Sequence, residues 1–309
     1  MLKRKDLLGL KECSAEEICE ILDTAEEMKK LLLSDKKQSD LLAGKALVTL
    51  FYENSTRTRS SFELAAKYLG ASEVNIAVAN SSVQKGETLI DTGETLDAMK
   101  IDYIVIRHPM AGAPALLAKH VKASVLNGGD GMHEHPTQAL LDMCTVREKL
   151  GRIKGLKVAI LGDIKHSRVA MSNLYGFTKL GAEVYMYAPS TMIPKEIEKL
   201  GAHIAKSREE ALEGADAVMG LRIQLERMNG GLFPSLSEYS RYYGVNDGLL
   251  KYAKKDAIVL HPGPVNRGVE LTPQVIDGEK SVILEQVTNG VAVRMALLKL
   301  LAEYREKNL

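Results

Sequence analysis

VTLFYENSTRTRSSFELAAKYLG, Val48 to Gly70, holds one complete passage from strand to helix. Its opening, Val48-Thr49-Leu50-Phe51-Tyr52, is rich in β-branched and aromatic residues and reads as a buried strand. Its close puts Phe62, Ala65, Ala66 and Leu69 on one helical face, with Gly70 as the C-terminal stop. Between them, Asn54-Ser55-Thr56-Arg57-Thr58-Arg59 gathers three hydroxyls and two guanidinium groups at a helix N-terminus. Unpaired backbone N–H groups and the positive end of the helix dipole favour an anion there. The hydroxyls add neutral donors, and Arg57 adds a planar fork that grips phosphate at two points. The pattern predicts a phosphate site. The alternative is a helix capped by Ser55 or Thr56 with its arginines solvated.

Upstream, Ser14 to Leu33 reads as an amphipathic helix opened by a Ser14/Glu17 capping box, with Ile18, Ile21, Leu22, Ala25 and Met28 inward. Downstream, Ser72 to Ala77 reads as a second strand. The polar loop Ala79 to Thr88 carries one lysine, Lys85, and leads into a helix near Thr88; a solvated lysine is the competing reading. DYIVIR, Asp102 to Arg107, is a buried strand ending on an arginine, which suits the ligand crevice at the strand ends of an open α/β sheet. A surface ion pair would explain Arg107 as well.

Val125 to Gly129 is another strand, followed by His133-Glu134-His135-Pro136-Thr137-Gln138. Pro136 fits a first helical turn. His135 then sits at the helix entrance with Gln138 one turn on, both able to hydrogen-bond a carbonyl oxygen or an amide-type NH2. The H-x-H spelling invites a metal reading, but such a site needs further ligands at later strand ends, and His203 and His261 lack that spacing. No metal is expected.

KLGRIKG, Lys149 to Gly155, is a polar connector and marks a domain boundary. A second alternation follows: strand Lys157–Gly162, turn, helix Arg168–Leu180, strand Ala182–Ala188, strand Ala217–Leu221. Strand and helix alternating at this spacing mean a parallel sheet. The turn after Gly162 lacks the G-x-G-x-x-G pattern, which argues against a nicotinamide cofactor. Arg168 and Arg222, with Gln224, stand just past strand ends and suggest a substrate with more than one carboxylate; internal ion pairs are the alternative. Ala257 to Leu260 leads into His261-Pro262-Gly263-Pro264, a rigid turn with a candidate cis bond that can aim main-chain carbonyls at a ligand. The last helix, Gly290 to Lys307, carries a broad apolar stripe that packs back on the N-terminal domain.

The fold class is therefore α/β, two domains each with a doubly wound parallel sheet. Residues 1–148, completed by 288–309, form one domain, and 149–287 form the other. The length of 309 residues suits two cores. A net charge of +1 argues against a dedicated nucleic-acid or membrane-surface binder. No apolar run approaches bilayer length, and MLKRKDLLGL lacks a signal-peptide core. Cys13, Cys19 and Cys144 form an odd set without C-x-x-C, as expected of thiols in a reducing compartment such as the cytoplasm.

Together, Ser55-Thr56-Arg57-Thr58-Arg59, His135-Pro136-Thr137-Gln138 and His261-Pro262-Gly263-Pro264 resemble the carbamoyltransferase family, over essentially the whole chain. Ornithine-type members carry His-Cys-Leu-Pro near the end. Here the turn is His-Pro-Gly-Pro, and the Ser81 to Glu87 loop with its lysine and the Arg222-x-Gln224 pair resemble the aspartate type. Gly263 departs from the leucine of some members but still supplies a carbonyl.

The resemblance implies direct carbamoyl transfer from carbamoyl phosphate to the α-amine of L-aspartate, in pyrimidine synthesis, without a cofactor. It implies that Ser55, Thr56, Arg57, Thr58 and Arg107 hold phosphate. Thr58, Arg107 and His135 polarise the carbonyl oxygen. Gln138 and the carbonyls of Pro262 and Gly263 receive the carbamoyl NH2, and Arg168, Arg222 and Gln224 bind the aspartate carboxylates. Arg59 acts more as structural support. It further implies a homotrimer in which Ser81 (or Ser82) and Lys85 enter a neighbouring subunit's site, and it leaves open a regulatory chain or a dihydroorotase partner. A different amine acceptor and a non-catalytic anion-binding homologue are the competing readings. The paired arginines speak against ornithine, and a homologue without activity predicts damaged motifs.

Overall fold

Strands and helices alternate along the described residues. The computed structural model describes residues 2–77, 86–224 and 235–308. Ser81, Ser82 and Lys85 lie outside the described residues. The chain divides into two units, Met1–Cys144 with Val287–Leu309, and Thr145–Gln286.

The first unit opens with α1 (Ala15–Leu33), where Ser14 and Glu17 form the reciprocal capping box and Ile18, Ile21, Leu22 and Ala25 are buried. Then come β1 (Ala46–Phe51), α2 (Thr56–Tyr68), β2 (Ser72–Ala77), α3 (Leu89–Ala98), β3 (Tyr103–His108), α4 (Ala113–Ala118), β4 (Ser124–Asp130) and α5 (Pro136–Leu150). Among the described residues the four strands form a parallel sheet in the order β2-β1-β3-β4. From β1 the chain goes out to β2 at one edge, then returns to β3 on the other side. The carboxyl ends of β1 and β3 are thus neighbours that lead to opposite sides of the sheet, with Phe51 in register with Arg107. That is the switch point at which open α/β sheets bind ligands. Beneath it, Val48, Leu50, Ile104, Ile106 and Val125 pack with Leu96 and Leu117 of α3 and α4.

In the second unit β5 (Lys157–Gly162), α6 (Arg168–Lys179), β6 (Glu183–Tyr187), β7 (Ala202–Ile204), α7 (Arg208–Leu212), β8 (Ala217–Leu221), α8 (Leu236–Tyr243), α9 (Asp247–Leu250), β9 (Ile258–Leu260) and α10 (Pro273–Asp277) follow in turn. The parallel order among the described strands is β7-β6-β5-β8-β9, which puts the switch point between β5 and β8. Gly162 ends β5 there with φ +130°, and a Cβ on it would stand 2.4 Å from the Leu221 carbonyl oxygen. Only glycine lets the two strand ends approach so closely.

The last helix, α11 (Ile283–Asn308), starts seven residues before the expected Gly290. Its added first turns are partly polar and weakly amphipathic, so the apolar stripe from Val291 onward announces only the buried part. From Val287 onward α11 belongs to the first unit, where Ala292, Val293, Met295, Ala296, Leu297 and Leu301 are buried. The helix opened by Pro136 likewise runs to Leu150, into the predicted connector. No helix among the described residues is long and apolar enough to cross a membrane. Cys13 and Cys144 are buried, Cys19 is exposed, and all three are thiols.

Candidate active site

Each predicted site residue that the structure describes lies at or beyond the carboxyl end of a strand. In the first unit, β1 delivers the N-terminus of α2. Ser55 is its N-cap in extended backbone, yet the hydroxyl makes no capping bond, and the first turn holds no acidic side chain. The capping alternative is therefore not realised at Ser55. The dipole end of a thirteen-residue helix keeps its preference for an anion. Thr56 and Arg57 are exposed on that turn, and Thr58 points inward, buried. Arg59 forms an i,i+4 ion pair with Glu63 at 3.6 Å.

Thr58 meets the second motif: its Oγ1 lies 3.5 Å from Nε2 of the buried His135. The residues leading up to His135 are fixed by buried hydrogen bonds. The Glu134 carboxylate accepts the Leu10 amide at 2.7 Å and the Lys11 amide at 3.2 Å. Asp130 accepts from the Glu134 amide, the Gly112 amide and Asn127 Nδ2. Burial pushes the Asp130 carboxyl up, but the bonds from His133, Gly112 and Asn127 outweigh it and hold it below the ordinary range. His133, the other member of H-x-H, bonds Asp130 at 3.0 Å, while His135 stands beside Thr58; the two rings serve different partners. His203 stacks on Tyr185, and His261 bonds Glu270.

Arg107 is the penultimate residue of β3, and its Nε donates to Glu53 Oε2 at 3.1 Å. The ion pair that was the alternative reading of Arg107 is present, with a partner that itself borders the phosphate motif. Gln138, one turn into α5, donates from Nε2 to Asp142 Oδ1 at 2.9 Å.

In the second unit, Asp163 follows β5 fully buried, and its Oδ1 lies 2.8 Å from His166 Nδ1. Its Oδ2 accepts the Gln224 amide at 3.2 Å, tying the turn after β5 to the segment after β8. Arg222 Nη2 donates to Gln224 Oε1 at 3.0 Å, so these two predicted residues are a bonded pair. Arg168 is buried at the first position of α6, whose N-cap Ser167 accepts the Ala170 amide. After β9, Gly263–Pro264 is cis, at the turn where a cis bond was expected. That turn is braced from several sides. The His261 amide donates to Gln286 Oε1 at 2.9 Å, and the Gly263 amide donates to His261 Nδ1 at 2.8 Å. His261 Nε2 and the Asn266 amide both reach Glu270 Oε1, at 3.1 and 2.7 Å. Burial, then the charges of Asp163 and Glu270, push the Tyr239 hydroxyl well above its ordinary range, so it stays protonated beside them.

Sequence reasoning missed Glu53, Asp142, Asp163 and Glu270, the acids that hold the predicted bases and amides. Two had a readable signal. Asp142 is four residues after Gln138 on one helix, and Asp163 sits just past the end of a strand, as Arg222 does. Glu53 and Glu270 find partners only through the fold.

Fold and site together describe an α/β protein with basic and amide side chains at the switch point of each of its two sheets. Residues 5–148 match the model of the aspartate/ornithine carbamoyltransferase, carbamoyl-P binding domain, and residues 154–301 match that of the Asp/Orn binding domain. The chain belongs to the aspartate/ornithine carbamoyltransferase family. It is 66% identical to the aspartate carbamoyltransferase catalytic subunit of Ruminiclostridium cellulolyticum over 300 residues, 97% of this chain and 96% of that one. Its structure is similar to ornithine carbamoyltransferase from Pyrococcus furiosus (TM-score 0.86, 33% identity, 95% of each chain). It is also similar to aspartate transcarbamoylase from Trypanosoma cruzi in complex with N-(phosphonacetyl)-L-aspartic acid (TM-score 0.87, 32% identity, 96% of each chain).

Proposed function

We propose that the chain transfers the carbamoyl group of carbamoyl phosphate to the α-amine of L-aspartate, giving N-carbamoyl-L-aspartate and phosphate in pyrimidine biosynthesis. The observation that carries the choice of acceptor is the near full-length identity to aspartate carbamoyltransferase catalytic subunits. The bonded Arg222–Gln224 pair and the buried Arg168, apt for two carboxylates, support it.

In this reading Ser55, Thr56, Arg57, Thr58 and Arg107 bind the phosphate. Thr58, Arg107 and His135 stabilise the charge that develops on the carbonyl oxygen. Gln138 and the carbonyls of Pro262 and Gly263 take the carbamoyl NH2. Arg168, Arg222 and Gln224 bind aspartate. The amine nitrogen attacks the carbonyl carbon, the bond from that carbon to the phosphate oxygen breaks, and the leaving phosphate takes the amine proton. Rate comes from positioning two anions and offsetting their repulsion.

The reading extends to a cytoplasmic homotrimer, with Ser81 and Lys85 serving a neighbouring subunit. The relatives' designation as a catalytic subunit supports a larger assembly, with regulatory chains or a dihydroorotase. The domain assignment follows the same reading: carbamoyl phosphate for residues 1–148 with 288–309, aspartate for 149–287.

Product formation from carbamoyl phosphate is measured with L-aspartate and, side by side, with L-ornithine. Carbamoylation of aspartate alone is expected. Turnover of ornithine, or of neither amine, overturns the assignment of the acceptor. For the shared site, Lys85→Ala and Arg57→Ala are each nearly inactive, and mixed trimers regain activity; no regain in mixed trimers rules sharing out.

A further inference from the structure

A glutamine amide has two ends of opposite sense: its NH2 donates and its Oε1 accepts. Gln138 spends the donating end on Asp142, one turn further along α5, over 2.9 Å. An ionised carboxylate only accepts, so it takes the NH2 and leaves Oε1 directed away from it. Asp142 is fully buried, and a carboxylate there needs a positive partner.

Arg294 of α11 is the cation packed into the same region, itself 3% exposed. Its Nη2 donates to Thr137 Oγ1 at 3.2 Å, next to Gln138 in sequence, and Nη1 donates to the Gly290 carbonyl at 2.9 Å. Its guanidinium lies 5.0 Å from the Phe62 ring of α2, so one side chain touches both helices that begin at the predicted phosphate and carbonyl groups. Gly290 makes the room: a Cβ there would stand 2.7 Å from Arg294 Nη1 and 3.1 Å from Leu141. Burial pushes Arg294 down to about 9 and the charge of Asp142 works against the fall, so the guanidinium remains a cation at neutral pH.

We infer that Asp142, buried in the same region as the Arg294 cation, fixes the polarity of the Gln138 amide so that it offers an acceptor, and thereby selects a donor substrate ending in NH2 over one ending in a carboxylate. Asp142 and Arg294 act through Gln138 and are positioning residues. The inference rests on the carbamoyl phosphate reading above. With an uncharged amide in place of Asp142, Gln138 can turn either end outward, and the selection relaxes.

The test compares two inhibitors competing with carbamoyl phosphate on the full chain: phosphonoacetamide, which ends in NH2, and phosphonoacetate, which ends in a carboxylate. In Asp142→Asn the ratio of their inhibition constants shifts about tenfold toward the carboxylate, the size of one reversed charge-assisted hydrogen bond. Arg294→Met, which removes the charge, shifts it in the same direction. A purely structural role lowers the melting temperature and leaves the ratio where it was; a folded Asp142→Asn with an unchanged ratio overturns the inference. Failure of both phosphonates to bind the wild-type chain overturns the carbamoyl phosphate reading instead. A second measurement serves if Asp142→Asn does not fold. The Gln138 side-chain NH2 protons of the wild-type protein, identified by their loss in Gln138→Met, exchange with water at least about tenfold more slowly than those of the exposed Gln38 and Gln274. Exchange at the exposed rate overturns the inference.

Discussion

The Gly263 amide donates to Nδ1 of His261 over 2.8 Å, while Nε2 of the same ring faces Glu270 Oε1 at 3.1 Å. A ring nitrogen that accepts carries no proton, so the imidazole is neutral, with its hydrogen on Nε2 and given to Glu270. The ring thus holds the turn whose carbonyls are assigned to the carbamoyl NH2. His261→Asn keeps an acceptor two residues before Gly263, as in an Asx-turn, and so loses less than a variant without one. His261→Leu strips the Gly263 amide of its acceptor and leaves the buried Glu270 with the Asn266 amide but without the imidazole donor. We expect it to raise KM for carbamoyl phosphate about tenfold and cost about 1–3 kcal/mol of stability. Initial rates and denaturant unfolding of the two variants decide it; equal behaviour would remove the turn-holding role.

Glu53 anchors Arg107 through Nε at 3.1 Å, with both side chains partly buried. Glu53→Ala releases that guanidinium from its fixed plane. An expected fall of about tenfold in kcat/KM for carbamoyl phosphate follows from losing one charge-assisted bond. Glu53→Gln, which keeps an acceptor, loses less. Steady-state kinetics with aspartate saturating separates the two.

Arg57→Ala removes the fork from the first turn of α2. A loss of about 10²–10³ in kcat/KM is expected if the guanidinium meets charge in the transition state. Arg57→Lys does not restore it, because an ammonium cannot make the two parallel bonds. Inhibition by inorganic phosphate reports the ground-state share; unaltered phosphate inhibition in Arg57→Ala would argue against the phosphate assignment.

The Asp130–His133 pair makes stability depend on pH. The bond to Asp130 raises the His133 imidazole above its ordinary value, with burial opposing, and Asp130 is held low. The His133 contribution is fully present below the unfolded value of about 6.5 and is lost as pH rises through the higher folded value. The Asp130 contribution is present above its unfolded value and is lost as pH falls through its lower folded one. Melting temperature should therefore decline as pH rises from neutrality, and His133→Gln should flatten that decline. A decline of the same size in His133→Gln would place its origin elsewhere.

Gly162→Ala forces a Cβ into the Leu221 carbonyl oxygen at a positive φ. A destabilisation of about 2–4 kcal/mol is expected, as both strain and a steric clash are introduced. Chemical denaturation measures it; a loss under about 0.5 kcal/mol, the range of a neutral surface change, would show that the strands can part at this point.

The elements most legible in the chain were those whose reason is local. β1 and α2 follow from an apolar run and an apolar helical face, α1 from its Ser14/Glu17 box, and α6 from its place after a strand and a turn. Short helices such as α4, α7 and α10 span one or two turns and show no period to read. The early start of α11 escaped for a related reason: Ile283 to Asn289 mixes apolar and polar residues, and its helicity continues that of the packed part.

The residue types of the candidate site were likewise open to reading one strand end at a time, because a helix N-terminus or a strand end has its chemistry wherever it lies. What local pattern could not choose was the order of the strands. That order makes β1 the neighbour of β3 and β5 the neighbour of β8, and so sets Phe51 beside Arg107 and Gly162 beside Leu221. Nor could it choose the acids that hold the site: Glu53 finds Arg107 across 54 positions, and Asp163 meets the Gln224 amide across 61. Arg294 looks in sequence like any arginine near the end of a chain, and only the packing of α11 makes it a buried cation. Such pairings depend on which surfaces meet after the chain closes, whereas the period of a helix or a strand is written within a few residues.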